Sequence, residues 1–363
     1  MSTSLQKHEH DDEAADLLLA SAVPLTHGSL PRRAAPATLL VVVALAVAGF
    51  LAGLAPALCA VFAAVGYTVV VYAWSRRVEG PRKATDRLVT AVVTSAFLLA
   101  LLPLVSVVLT VLERGLARLD SDFLNNSMLG IVGEGGGAHH AIMGTLIITG
   151  IAAAISVPVG LMTAIYLIEY GRGRLARSIT FFVDVMTGIP SIVAGLFAYA
   201  LFELFLGPGT KMGIIGSVAL SVLMIPVVVR STEEMLKLVP NELREASYAL
   251  AVPKWRTITK VVLPTAIAGI ATGVTLAIAR VIGETAPLLI TVGNPTGDNF
   301  NPFDGQMQTL SVFAYNSYAH PGLEKEAYLD RAWAAALLLI IIVMALNLVA
   351  RLISRFFAPK TRG

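Results

Sequence analysis

The sequence predicts an all-α polytopic membrane protein, and three observations carry that prediction. Of its 363 residues 56% are hydrophobic and only 14% are charged, with a mean hydropathy of +0.75; soluble chains carry about a quarter charged residues. The apolar residues gather into runs long enough to cross a bilayer, which takes roughly 20 residues per helix. Lys and Arg are spread unevenly over the gaps between those runs. Helix follows because lipid offers no partner to backbone N–H and C=O groups, so each span must satisfy its own.

Eight runs qualify: 38–54, 56–74, 88–112, 141–168, 181–206, 213–229, 263–292 and 332–352. The first two meet at Ala55-Pro56 and read as a helical hairpin. Residues 1–37 are polar and acidic (Glu9, Asp11, Asp12, Glu13, Asp16), unlike a signal peptide, and are expected to form a disordered cytoplasmic tail. The organisation is then this tail, an extra transmembrane hairpin and linker over 38–84, a main membrane domain over 85–356, and a short second tail over 357–363.

Numbering the gaps alternately places twenty-one Lys and Arg on one side and five on the other, with Arg280 inside a run. That asymmetry puts both termini in the cytoplasm, and the acidic segment Glu324, Glu326, Asp330 on the outside fits it. One cytoplasmic gap, 231–260, is long and patterned. Asn241 is placed to cap a helix with an acidic first turn, and Pro253 to end or bend it, so a short helix pair at the membrane surface is expected. The outer gap 293–331 is rich in Asn, Gly and Pro without periodicity, and is expected to be loop.

Several chemistries are excluded or demoted. A net charge of +3 gives no reason to expect nucleic acid as a partner. The lone cysteine, Cys59, rules out an internal disulfide and reads as a small buried hydrophobe. No Gly-rich Walker pattern runs into Lys and Ser or Thr, so ATP is not expected to be bound by that route. Gly135-Gly136-Gly137 reads as a flexible entry to the next helix. His139 and His140 point about 100° apart on a helix, which argues against a shared metal, and are treated as interfacial. Glu169, Asp184 and Glu203 sit near span ends and read as hydrated interfacial residues. Gly269 and Gly273 form a small-xxx-small pair suited to close helix packing.

Arg280 stands apart, as the one Lys or Arg well inside a run. A charge at that depth costs about 2.5–3.5 kcal/mol on insertion scales, so it should face a cavity or a partner. Glu284 lies one turn on, and two readings stay open. The pair holds the helix as an i, i+4 ion pair, or Arg280 lines a path and attracts an oxyanion, for which its planar donors are suited. In the second reading Glu284 positions Arg280 or competes with the anion for it.

The cytoplasmic stretch Glu245-Ala246-Ser247-Tyr248-Ala249-Leu250-Ala251, followed ten residues on by Val261-Val262-Leu263-Pro264, resembles the signature loop of ABC importer permeases. The family pattern has Glu-Ala-Ala, three residues, Gly, nine residues and Ile-x-Leu-Pro. Ser247, Ala251 and Val261 depart from it, and Ala251 stands where Gly relaxes a turn. Gly188-Ile189-Pro190-Ser191-Ile192-Val193-Ala194-Gly195-Leu196 and Arg280-Val281-Ile282-Gly283-Glu284-Thr285-Ala286-Pro287-Leu288-Leu289 resemble phosphate-specific permeases of the PstA type. The resemblance covers about 85–356, six of the eight spans.

It implies a six-helix permease core in a bacterial plasma membrane. Residues 231–260 would form coupling helices docking on a separate ATPase, through Glu245, Ala246, Ser247, Ala251, Leu263 and Pro264. It implies a PstC-like permease partner, an ATPase subunit dimer and an extracytoplasmic phosphate-binding protein. ATP would be hydrolysed by the partner, with no cofactor bound by this chain. A permease for sulfate or molybdate is the nearest alternative. An ion-coupled secondary transporter would need midplane carboxylates and inverted repeats, of which only Glu284 is a candidate. A membrane scaffold without transport leaves Arg280 unexplained.

Overall fold

The computed structural model describes residues 28–31 and 33–357, so most of the tail expected to be disordered over 1–37, and nearly all of the short tail over 357–363, lie outside them. The described residues contain helices and no strand. They divide into two compact units, residues up to Val108 and residues from Leu109 on.

In the first unit α1 (Ala34–Leu51) and α2 (Pro56–Val78) form the expected hairpin. Gly53, at φ +92°, turns the chain, and Pro56 opens α2 where its missing N–H costs nothing. Cys59 is buried in this hairpin, as expected. A clasp centred on Glu79 closes the end of the hairpin next to α3. The Glu79 carboxylate accepts hydrogen bonds from Leu30 N–H (2.9 Å), Ser75 Oγ (2.7 Å) and Arg87 Nε and Nη2 (2.6 and 2.9 Å). So the stretch expected as tail is tied down from Leu30. The Arg87 hydrogen bond, above all, lowers the Glu79 carboxyl to about 2, against burial, which acts to raise it. This clasp therefore adds stability fully above about 4.5, and loses it as pH falls toward 2.

Helix α3 (Pro81–Arg118) is 38 residues long, about 57 Å at 1.5 Å per residue, and runs from the first unit into the second. In the second unit Asp120 caps α4 (Ser121–Asn125), accepting from Phe123 N–H at 2.7 Å. Helix α5 (His139–Ile165) widens into a π turn over Tyr166–Tyr170. Next come α6 (Arg174–Thr187), α7 (Ser191–Leu206), α8 (Gly213–Lys237) and α9 (Asn241–Ala249). A further π turn, Ile258–Val262, joins α10 (Lys254–Thr257) to α11 (Leu263–Val281). Helices α12 (Ala286–Thr291), α13 (Leu310–Ala319) and α14 (Lys325–Phe357) complete the described chain.

Seven helices are long and apolar enough to cross a membrane, and α6 with α7 makes an eighth crossing if that pair is one span. Two of the runs read as single spans are broken. The run 181–206 bends by 109° at Gly188-Ile189-Pro190, and the run 263–292 stops at Val281 and restarts at Ala286. Proline explains both, because it removes a ladder donor and its ring collides with the preceding turn. The outer gap expected to be loop contains α13, whose Leu310 and Phe313 pack with Ala141 of α5 and Ala334 of α14.

The core centres on α8, with 61% of its apolar window buried against 22% or less for the other spans. Leu220, Met224 and Val228 pack with Ile148 and Ala152 of α5 and with Ala277 and Val281 of α11. Glycines set the helix separations. A Cβ on Gly160 would lie 2.7 Å from Val228 Cγ1, and one on Gly273 2.6 Å from Ser231 Oγ. Gly269 meets Met235, so the small-xxx-small pair does serve close packing of α11 on α8.

Candidate functional site

The break between α11 and α12 places Arg280 and Glu284. Pro287 could not extend α11, since it has no N–H to donate to the carbonyl of residue 283; it sits instead in the first turn of α12, where proline is favoured. Arg280 falls in the last turn of α11, where backbone carbonyls favour a cation, and its side chain is exposed. Glu284 donates its N–H to Val281 O at 3.0 Å and accepts Ser311 Oγ on its own carbonyl at 2.8 Å. No ion pair joins Arg280 to Glu284 among the described residues, since the continuous helix that an i, i+4 pair needs is absent.

The two motif segments meet in space. A Cβ on Gly195 of α7 would lie 2.6 Å from Pro287 Cα and 2.9 Å from Pro287 O. Gly216 of α8 makes room for the side chains of Val292 and Leu288. The broken pair α6–α7 and the broken pair α11–α12 are thus packed backbone to backbone, which holds the Arg280 segment against a rigid neighbour.

The segment expected as a helix pair is α9 followed by α10. Asn241 does not cap α9: Pro240 holds the N-cap position, and the Asn241 side chain accepts from Arg244 Nη1 at 3.2 Å. Glu245, Ala246, Tyr248 and Leu250 are exposed, while Ser247 is buried with its hydroxyl 2.8 Å from that of Thr257. Ala251 has φ +55°, the one non-glycine with positive φ among the described residues. Its N–H donates to Tyr248 O at 2.9 Å and that of Val252 to Ser247 O at 3.2 Å, which is the Schellman pattern of a helix C-terminus. Leu263 and Pro264 open α11, about 24 Å along the helix axis from Arg280.

Arg244 anchors α9, and sequence reasoning missed it. It donates to Val239 O at 2.6 Å and Leu236 O at 3.0 Å, covering orphan carbonyls at the end of α8. It also pairs with Glu169 at 3.0 Å, whose side chain is 5% exposed. Glu169 is therefore not a hydrated interfacial residue; its backbone carbonyl also accepts Lys254 Nζ. Asp184 is likewise bound, by Arg230, which pairs with buried Glu233 at 2.7 Å as well. These partners lie 75 and 46 residues from the acids they bind, and no local spacing announces them.

A second network joins the start of α5 to the 293–331 segment. His140 is buried, with Nε2 2.6 Å from Gln308 Oε1, and His139 Nδ1 lies 2.9 Å from Asp298 Oδ1. The adjacent histidines thus turn to different partners, and His140 is a buried residue instead of an interfacial one. The glycine run is pinned: Arg118 donates to Gly136 O at 2.6 Å, and Arg331 to Gly133 O and Gly135 O. No metal-binding cluster of His, Cys, Asp and Glu occurs among the described residues.

Residues 156–363 match the family described as binding-protein-dependent transport system inner membrane component. The phosphate transport system permease protein PstA 1 of Mycobacterium tuberculosis (strain CDC 1551 / Oshkosh) is 47% identical over 284 residues, which cover 77% of this chain and 92% of that protein. The phosphate transport system permease protein PstA of Pasteurella multocida (strain Pm70) is 37% identical over 284 residues, covering 77% and 97%. A chain of a solved bacterial alginate ABC transporter, in complex with an alginate pentasaccharide-bound periplasmic protein, superposes with a TM-score of 0.55 at 15% identity. That match spans 76% of this chain and 96% of the other, and bears on the fold alone.

Proposed function

The chain belongs to the PstA-type phosphate permeases of the binding-protein-dependent transport family, and from that premise we propose which of its residues meet the anion and which take up the stroke of the ATPase. It is a multi-pass permease subunit of a phosphate-importing ABC transporter. The observation that carries this is the 47% identity to a phosphate permease along 92% of that protein's length. Arg280 is the anion-handling residue. It is exposed, free of any ion pair among the described residues, and set at a helix break, where backbone groups released from the ladder can also face a ligand. Glu284 tempers it: a carboxylate four residues away keeps the anion's stay brief, as a path must release what it binds.

Coupling runs through α9. Glu245, Ala246 and Ala251 present a surface of one charge and small side chains to an ATPase dimer, Ser247 braces the helix on Thr257, and Leu263 and Pro264 pass the motion into α11. ATP is hydrolysed by those partners, this chain having no Walker pattern. A PstC-like permease completes the path, a phosphate-binding protein delivers the anion from outside, and both termini face the cytoplasm.

The test is phosphate uptake by the reconstituted complex. Arg280→Gln should lower uptake by about tenfold or more, the worth of one charged hydrogen bond, with assembly intact, and Arg280→Lys should retain part of it. Adding Glu284→Gln to Arg280→Gln should restore nothing. Recovery to near the parental rate would instead make the pair structural.

A further inference from the structure

Arg331 carries a buried charge that no carboxylate among the described residues reaches at ion-pair distance, the nearby Glu324 lying instead against Gly133. It lies near the outer start of α14 with its side chain 1% exposed. Nη1 donates to Gly133 O at 2.6 Å and Gly135 O at 3.0 Å, and the guanidinium sits 4.5 Å from the centre of the Tyr328 ring. Nη2 has no hydrogen-bond partner among the described residues, and no ion pair reaches Arg331, although Glu324 and Asp330 are close in sequence. A buried guanidinium usually has a carboxylate against it, because desolvating the charge is costly. Two carbonyls and a ring face offset only part of that.

Arg331 borders a cavity of about 270 Å³ that no acidic residue lines. Thr296, Asn316, Ser317, His320 and Tyr328 line it too. The one amide oxygen of Asn294 is already taken by Gln308 and by Asn316 Nδ2 at 3.0 Å. What remains is rich in donors: hydroxyls, an imidazole and a guanidinium. Such a set suits a small oxyanion, for which Arg offers matched planar donors. Location agrees with the chemistry. Ser311, which holds the Glu284 carbonyl, is six residues from Ser317 on α13, about 9 Å along the axis.

We propose that Arg331, with Ser317 and the other donors of this cavity, forms an entry site that takes inorganic phosphate on the outer side before it reaches Arg280. The inference rests on the reading of Arg280 as the residue of the path. The site is carboxylate-free where the path is not, so the anion is held first and then passed to a place where Glu284 competes for it.

The experiment uses the assembled complex of both permeases and the ATPase in nanodiscs, without binding protein, and follows equilibrium binding of radiolabelled inorganic phosphate. An Arg280→Gln background removes the path site. Phosphate binding should persist there and weaken about tenfold or more in Arg331→Gln and in Ser317→Asp, the loss expected for one charge-assisted contact. Ser317→Asp places a carboxylate in the same cavity as the unpaired guanidinium, so it tests the site even if Arg331→Gln misfolds. Unchanged affinity in Ser317→Asp, or no phosphate binding in the Arg280→Gln background, would overturn the entry site. Uptake by the parental complex, reconstituted in proteoliposomes with the phosphate-binding protein supplied, is read alongside. No phosphate uptake there strikes the transport reading, whereas normal uptake with unchanged binding strikes the entry site alone.

Discussion

At the scale of single residues, Ala251 shows how a departure from a family pattern is accommodated. The position is the C′ residue of α9 and holds φ +55°, a conformation that costs an L-residue with a Cβ roughly 1–2 kcal/mol. Ala251→Gly should therefore raise the stability of the α9 turn by about 1 kcal/mol, after the entropy that glycine adds to the unfolded chain. Thermal unfolding of the purified complex would show it as a higher midpoint, and a lower one would contradict this account. The strain was legible from sequence, because the motif spacing marks a glycine position. Arg280 and Glu284 were legible as residues but not as a geometry. Their i, i+4 spacing implies contact only on an unbroken helix, and Pro287 ends that helix. Glu169 misled for another reason, whereas Asp184 is exposed as expected. An acid at a span end looks hydrated unless its partner is known, and Arg244 comes from a distant part of the chain.

At the scale of elements, hydropathy located every long helix and was blind to the two breaks. A window average does not register that Pro190 or Pro287 removes a backbone donor, so bent and straight runs score alike. Helix α13 escaped because ten residues with buried Leu310, Val312 and Phe313 in a row show no clear period. At the break the backbone of Pro287 closes over Gly195, which makes Gly195 a sharp probe. Gly195→Ala drives a methyl into the Pro287 backbone, which cannot move aside as a side-chain tip would. A loss of about 1–3 kcal/mol is expected from such overpacking, together with most phosphate uptake. Gly150→Ala on α5 meets nothing within 4 Å and should leave both unchanged. Equal behaviour of the two variants would remove the argument that α7 and α12 are fitted backbone to backbone.

At the scale of the whole molecule, the all-helical fold class and its long apolar spans were readable because lipid imposes them: length and apolarity act on every span alike. The matches to relatives cover 77% of the chain, and the pattern of the wider family begins only at residue 156. Accordingly the hairpin is expected to be peripheral to transport. A chain restarted at residue 85 should assemble with its partners and retain ATP-dependent phosphate uptake, and complete loss in a properly assembled complex would contradict that. Helix α3 adds something that no motif records. Its uncharged stretch, 88–112, spans about 37 Å, against roughly 30 Å of hydrocarbon in a typical bilayer. An α3 tilted by about 37° fits that thickness with both charged ends in water. Longer acyl chains would be met by straightening, without drawing Arg87 or Glu113 into the lipid, so α3 has slack for membranes whose thickness shifts with growth temperature.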